Sequence, residues 1–328
     1  MSGNHNHEYK NAKKIIDKAA EAGADAIKLQ TYKADTITID CDNDYFKVKT
    51  NNIWNGKTLF ELYNWAYTPW DWQPKLKKYA ESKGLIFFSS PFDETAVDFL
   101  EENNVELYKV ASFELNHIPL LKKIASTKKP VILSRGMSSK EDIKLAVETL
   151  KKNGSPAVSV LHCVSSYPAK PEQMNLKTIS DIGKRFDVVP GISDHTITKE
   201  IAIASVPLGA CIIEKHLTLS RKEGGVDSAF SLEPNEFKDM IKSVRIVEKA
   251  IGKVSYMLDN KESEMASLKR SIFVVKDIKK GQEFNKENTK IIRPGYGMEP
   301  KLYDKILGKK AKRDIKKGNP LKKEYIED

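Results

Sequence analysis

Two short segments run from apolar, β-type sequence straight into a carboxylate and a histidine: GISDHT at 191–196 and CIIEKHL at 211–217. Residues of like parity share one face of a strand, so Glu214 and His216 point one way and Lys215 the other, while Ser193 and His195 share a face of the preceding segment. Neighbouring parallel strands lie about 4.8 Å apart, close enough for His195 and His216 to reach one divalent cation. The residues also allow two structural histidines bonded to backbone or carboxylate. Lysines inside strand-like segments raise a second question, because a buried ammonium requires an anion. Lys28 in DAIKLQ and Lys109 in ELYKVAS therefore need a partner, either Glu114 or Glu214 or a bound phosphate and carboxylate. Ser89, Ser90, Ser112 and Ser134, at the ends of apolar runs, are suitable neutral donors to phosphate oxygens. Schiff-base chemistry on a lysine is a third option.

Such residues act together only if their elements end at one place. Over the first 250 residues, seven apolar runs alternate with amphipathic helical patterns: 25–30, 85–90, 106–112, 130–136, 157–163, 188–194 and 211–217. The segment SKEDIKLAVETLKKNG is expected to be a helix, with a serine cap, an acidic first turn, and closing lysines before Gly154. Repeated β-then-α units imply a parallel sheet, and no G-x-G-x-x-G turn follows any run, which argues against a dinucleotide-binding open sheet. Polar residues collect at the C-terminal ends of the runs, the rim on which (β/α)₈ barrels build their sites. The expected fold is a TIM-type (β/α)₈ barrel lacking its first strand, over 1–258, then a linker at 259–268 and a small β-rich domain at 269–328. The last part holds a near repeat, VVKDIKKGQEF and AKRDIKKGNPL, flanking RPGYG.

Composition narrows the function classes. The chain has 328 residues and a net charge of +10, of which +9 falls after residue 266, in Lys-Gly turns without interleaved aromatics. That pattern reads as a solvated surface and not as a nucleic-acid face. No apolar run approaches the roughly 18 residues of a membrane span, so no membrane partner is expected. The first ten residues hold no apolar signal region, and the three cysteines are scattered. A reducing, cytoplasmic setting is expected.

In order along the chain, AIKLQTY, FFSSPFD, YKVASFE, SRGM, LHCVSSYP, GISDHT, IIEKHLTLS and IRPGYG resemble the sialic acid synthase family, and the tail resembles its antifreeze-like (SAF) domain. The resemblance implies an enzyme, a transferase that condenses phosphoenolpyruvate with an acetamido sugar to give a nine-carbon nonulosonic acid. ASFE, YTPWDW and SSPFDETAVDFLE are most similar to the branch that makes pseudaminic acid; N-acetylneuraminate or legionaminate synthesis is the alternative. By that resemblance His195 and His216 are ligands of manganese, with magnesium or cobalt as substitutes, and Gln30 lies beside the metal. Lys28, Ser90, Lys109, Ser112, Ser134 and Ser193 are implied to hold phosphoenolpyruvate. Glu114, Ser165, Tyr167 and Asp227 are implied to surround the acceptor sugar. Arg293 matches an arginine that the SAF domain inserts into a partner's barrel, which implies a domain-swapped homodimer. The sequence departs from the family at Arg135, where a threonine is usual, and lacks the initial strand ending in Ala-Glu. A truncated, non-catalytic paralogue that binds a sugar or a partner is the reading from another class.

Overall fold

The seven apolar runs form β1 (Ala26–Thr31), β2 (Ile86–Pro91), β3 (Tyr108–Val110), β4 (Val131–Ser134), β5 (Val158–Cys163), β6 (Val189–Asp194) and β7 (Ile212–Lys215) in the computed structural model, which describes residues 1–50 and 54–327. They pair in sequence order as one parallel sheet. Helices connect successive strands, because parallel strands cannot be joined by a tight hairpin. Between β4 and β5 lies the helix Lys140–Asn153, capped by Ser139 in a reciprocal pair with Asp142. Its buried stripe is Ile143, Ala146, Val147 and Leu150, at helical spacing, and Gly154 closes it at φ 117°, a left-handed geometry that costs glycine little.

The outer face of the sheet carries the core. Leu29, Phe87, Tyr108, Val110, Leu133 and Val160 are buried there against helix residues such as Ile15, Ile16, Leu120 and Leu150. Each such aliphatic or aromatic side chain contributes roughly 1.5–3 kcal/mol on burial. The inner face is different. β1 and β7 share no backbone ladder, yet Lys28 Nζ on β1 lies 2.9 Å from Glu214 Oε1 on β7. The sheet therefore curls until its two edges face each other, as a barrel wall does. A cavity of about 700 Å³ opens between those edges, lined by Lys28, Gln30, Phe88, Ile132, Glu214 and His216 among others.

The chain divides into two units, Met1–Gly252 and Lys253–Asp328. In the second, β8 (Ser271–Val274) and β9 (Thr289–Ile292) pair antiparallel over a core of Ile272, Val274, Ile278, Phe284, Ile306, Ile315 and Leu321. The two repeat copies bind each other reciprocally. Ile278 and Ile315 exchange backbone hydrogen bonds, Asp277 accepts from Lys316 and the Lys317 amide, and Asp314 accepts from Lys279 and the Lys280 amide. The lysines expected to be merely solvated thus serve a pseudo-symmetric clasp, although exposed ion pairs of this kind contribute little energy. Among the described residues, no helix is long and apolar enough to cross a membrane.

Replacing the helix cap Ser139 by Ala should lower stability by about 1 kcal/mol. The measurement is the urea midpoint followed by tryptophan fluorescence, since Trp54, Trp65, Trp70 and Trp72 all lie in the first unit. An unchanged midpoint would contradict the cap assignment.

Candidate active site

Register decides which side chains face inward. Lys28 is level with Phe88 and Gln30 with Ser90, Lys109 with Ile132, Cys163 with Ser193, and Ser193 with Glu214. One face thus collects Lys28, Gln30, Ser90, Lys109, Ser134, Ser193 and Glu214 near the strands' C-terminal ends. Ser89, expected with the other serines, points the opposite way and hydrogen-bonds Thr31 Oγ1 at 2.7 Å, because adjacent strand residues alternate faces. Arg135 likewise follows inward Ser134, and its Nε donates to His162 Nδ1 at 3.1 Å.

The two lysines have different partners. Lys28 pairs with Glu214, whose Oε1 also accepts from Ser193 Oγ at 2.9 Å. Burial would raise the Glu214 pKa, but the charges of Lys109 and Lys28 outweigh it and hold the carboxyl well below the usual range. Lys109 is 1% exposed, and its Nζ donates to Ser134 Oγ at 2.7 Å and to the Val110 carbonyl at 2.8 Å. Among the described residues no carboxylate lies within 4.0 Å of it, so the Glu114 and Glu214 pairings open in the sequence do not form at Lys109. Burial, resisted by the Glu214 charge, lowers its pKa to about 8. Nearby, Ser112 Oγ and Ser165 Oγ lie 3.1 Å apart. Gly136, which the sequence reading passed over, backs this pair: a Cβ there would meet Ser112 Cβ at 2.4 Å. Burial raises the Glu114 pKa to about 7, against the pull of Lys109, and its Oε2 has no partner. Ser90 Oγ is also buried and unpartnered.

At the end of β6 and β7 the rings of His195 and His216 are 5.4 Å apart, centroid to centroid. His195 Nδ1 lies 3.1 Å from the Val164 carbonyl, which assigns the proton to Nδ1 and leaves the Nε2 lone pair free. Burial lowers the pKa of His195 to about 4 and that of His216 well below the ordinary value, so both rings are neutral. His216 Nδ1 is buried without a hydrogen bond, 3.6 Å from Asp227 Oδ2. Among the described residues no three His, Cys, Asp or Glu side chains converge as a ligand set. Two neutral imidazole nitrogen donors side by side suit a divalent cation. An aromatic wall stands beside them. Tyr167 lies 4.6 Å from His195 and 5.1 Å from Phe230, and Phe230 lies 5.1 Å from His216.

Met1 and Ser2 of the N-terminal segment line the cavity. The Met1 amine donates to the Lys28 carbonyl at 2.9 Å, Ser2 donates to Gln30 and Asp227, and Asn4 Nδ2 donates to the Leu217 carbonyl at 3.0 Å. Asp227 is buried, and that burial raises its pKa against the stabilising Ser2 hydrogen bond. A run of small and amide residues before an amphipathic helix was the available signal. Arg293 belongs to the second unit, where it is exposed between β9 and Tyr296.

Comparisons with known proteins found matches to both units of the chain. The NeuB family model matches residues 15–256 and the SAF domain model residues 269–327. A pseudaminic acid synthase of Campylobacter jejuni is 41% identical over 98% of this chain and 94% of its own. One of Helicobacter pylori is 38% identical over 100% of this chain and 96% of its own. The crystal structure of an N-acetylneuraminic acid synthetase from Leptospira borgpetersenii, in complex with citrate, superposes with a TM-score of 0.69 at 33% identity, covering 80% of this chain and 86% of that one.

Lys109 generates a stability test. Its pKa of about 8 lies below the unfolded value near 10.5, so the folded state binds fewer protons between those limits and stability rises with pH across them. The cost is fully present below about pH 8. Lys109→Met should therefore stabilise the free protein at pH 7 by on the order of 3 kcal/mol, with the gain fading towards pH 10.5. Urea unfolding at the two pH values measures it, and a destabilised variant at pH 7 would contradict a strained ammonium.

Proposed function

This chain belongs to the NeuB family, and we propose that it is a nonulosonic acid synthase that makes pseudaminic acid from phosphoenolpyruvate and 2,4-diacetamido-2,4,6-trideoxy-altrose. The carrying observation is Lys109, a buried ammonium whose hydrogen bonds, among the described residues, go to a hydroxyl and a carbonyl, on the same inner face as two neutral histidines. Such a site attracts a small anion with several oxygens. The names of the Campylobacter and Helicobacter relatives support the pseudaminic product, and that of the Leptospira structure makes N-acetylneuraminate the comparison substrate class.

In this reading Lys28, Lys109, Ser90, Ser112, Ser134 and Ser193 hold the phosphate and carboxylate of phosphoenolpyruvate and orient its C3 towards the open-chain aldehyde. His195 and His216 would hold a divalent cation, Mn²⁺ foremost, with Gln30 alongside; when bound, it supplies Lewis-acid polarisation of the aldehyde oxygen. C3 attacks the aldehyde carbon, a C–C bond forms, and the aldehyde oxygen takes a proton to become a hydroxyl. Glu114, with a pKa near neutrality and an unpartnered oxygen, is suited to move that proton. Water adds to C2, its proton is lost, and the C2–O bond to phosphate breaks, leaving a 2-keto acid and inorganic phosphate. The aromatic wall of Tyr167 and Phe230 limits bulk water, and Ser165, Tyr167 and Asp227 face the acceptor. Arg293 reaches the acceptor in the partner's barrel of a domain-swapped homodimer, and the reaction is cytoplasmic.

Condensation with the altrose-, mannose- and bacillosamine-derived acceptors tests the reading. Turnover is expected with phosphoenolpyruvate and the altrose derivative, and no nonulosonate from any acceptor would sink it. His195→Ala and His216→Ala should each abolish condensation and lower bound Mn²⁺ with circular dichroism unchanged; equal metal content would refute this site. Arg293→Ala should raise the acceptor KM about 10- to 150-fold, from a charge-assisted contact of roughly 1.5–3 kcal/mol, and leave that for phosphoenolpyruvate nearly unchanged. Mixing it with His216→Ala should restore activity; a mixture no better than the Arg293→Ala parent would place the arginine in its own chain's barrel.

A further inference from the structure

Asp194 and Lys215 immediately precede the two histidines and lie on the opposite face of their strands from Ser193 and Glu214. They are Cα partners, the last rung of the β6–β7 ladder, and both side chains have no exposure to solvent. Lys215 Nζ lies 2.6 Å from Asp194 Oδ2 and also donates to the Thr196 carbonyl, to Thr196 Oγ1 and to the Thr198 carbonyl. Asp194 Oδ1 accepts from the Thr196 amide at 2.9 Å. An ammonium on β7 is thereby bound to the turn that leaves β6, on either side of His195 in sequence.

Stability alone is a poor reason for this arrangement, since a buried ion pair usually does no better than an apolar pair of the same volume. Geometry supplies a better one. His195 and His216 lie one residue beyond the ladder, where no β6–β7 backbone hydrogen bonds fix their separation. We propose that the Asp194–Lys215 pair is a positioning clamp that extends the ladder by one side-chain rung and sets the distance between the two imidazoles, and so the affinity for the divalent cation they share. This rests on the metal reading given above. On that basis the two opposite charges preceding the histidines in GISDHT and IIEKHL have one task.

The test is the double variant Asp194→Leu/Lys215→Met, which removes both charges while nearly conserving volume. It is expected to fold, with thermal unfolding close to that of the wild type, and to bind Mn²⁺ 10- to 100-fold more weakly, the loss typical when support behind a ligand is removed. Free Mn²⁺ measured by electron paramagnetic resonance gives Kd directly, without turnover. A folded double variant with wild-type Kd overturns the clamp. If the double variant does not fold, Asp194→Asn, which keeps an oxygen for the Thr196 amide but weakens the bond to Lys215, should still raise Kd by about 10-fold, and an unchanged Kd overturns the clamp equally. His216→Ala is the control: a wild type that binds no Mn²⁺, or binds it no better than this control, refutes the metal reading and the clamp with it. Loss of binding in the control but not in the charge variants refutes the clamp alone.

Discussion

Two lysines and one firmly ionised carboxylate share the inner face of the curled sheet, and this imbalance organises the site. Glu214 is within ion-pair distance of Lys28, while Lys109 is held by Ser134 and the Val110 carbonyl. A buried ammonium without a counterion costs stability, and a bound anion recovers that cost at the moment of binding. Selectivity for an anionic, oxygen-rich substrate thus follows from what the free protein lacks. The same charges keep Glu214 ionised and leave Glu114, which is buried farther from compensation, near neutrality. One carboxyl is fixed as a counterion and the other is free to exchange a proton.

The curl that makes this possible comes from ordinary forces. Apolar residues on the outer face drive helices onto the sheet, and a parallel sheet so covered on one side bends until its edges approach. On the inner face polar groups gather towards the strands' C-terminal ends, where Ser193, His195, Glu214 and His216 arrive on two adjacent strands. Charges on the opposite face of those strands, Asp194 and Lys215, hold the same ends from behind.

Much of this was legible in the sequence because it depends on short-range pattern. Apolar runs of six or seven residues separated by helical periodicity marked all seven strands of the sheet. Parity put Ser193 with His195 in GISDHT and Glu214 with His216 in CIIEKHL, and the register of β6 with β7 puts both pairs on one face. What depends on register or on the curl was not legible. That Ser90 and not Ser89 faces inward follows from pairing with β1, and which of the partners left open for Lys28 it meets, Glu214, follows from an approach of strands far apart in the chain. Phe230, Gly136 and the Met1–Asn4 segment enter the site through loops, whose sequences carry no periodic signal. The repeat in the second unit was visible, but its reciprocal Asp–Lys clasp required two distant turns to be superposed.

In the proposed reaction this charged cavity directs carbon–carbon bond formation from phosphoenolpyruvate with loss of phosphate from C2. Phosphoenolpyruvate labelled with ¹⁸O in the C2–O–P bridge tests it, with ³¹P NMR reading the isotope shift of the phosphate released during condensation with the acceptor sugar. The account predicts that the bridging ¹⁸O leaves with inorganic phosphate. Unlabelled phosphate, with ¹⁸O kept in the sugar product, would show P–O cleavage and contradict it.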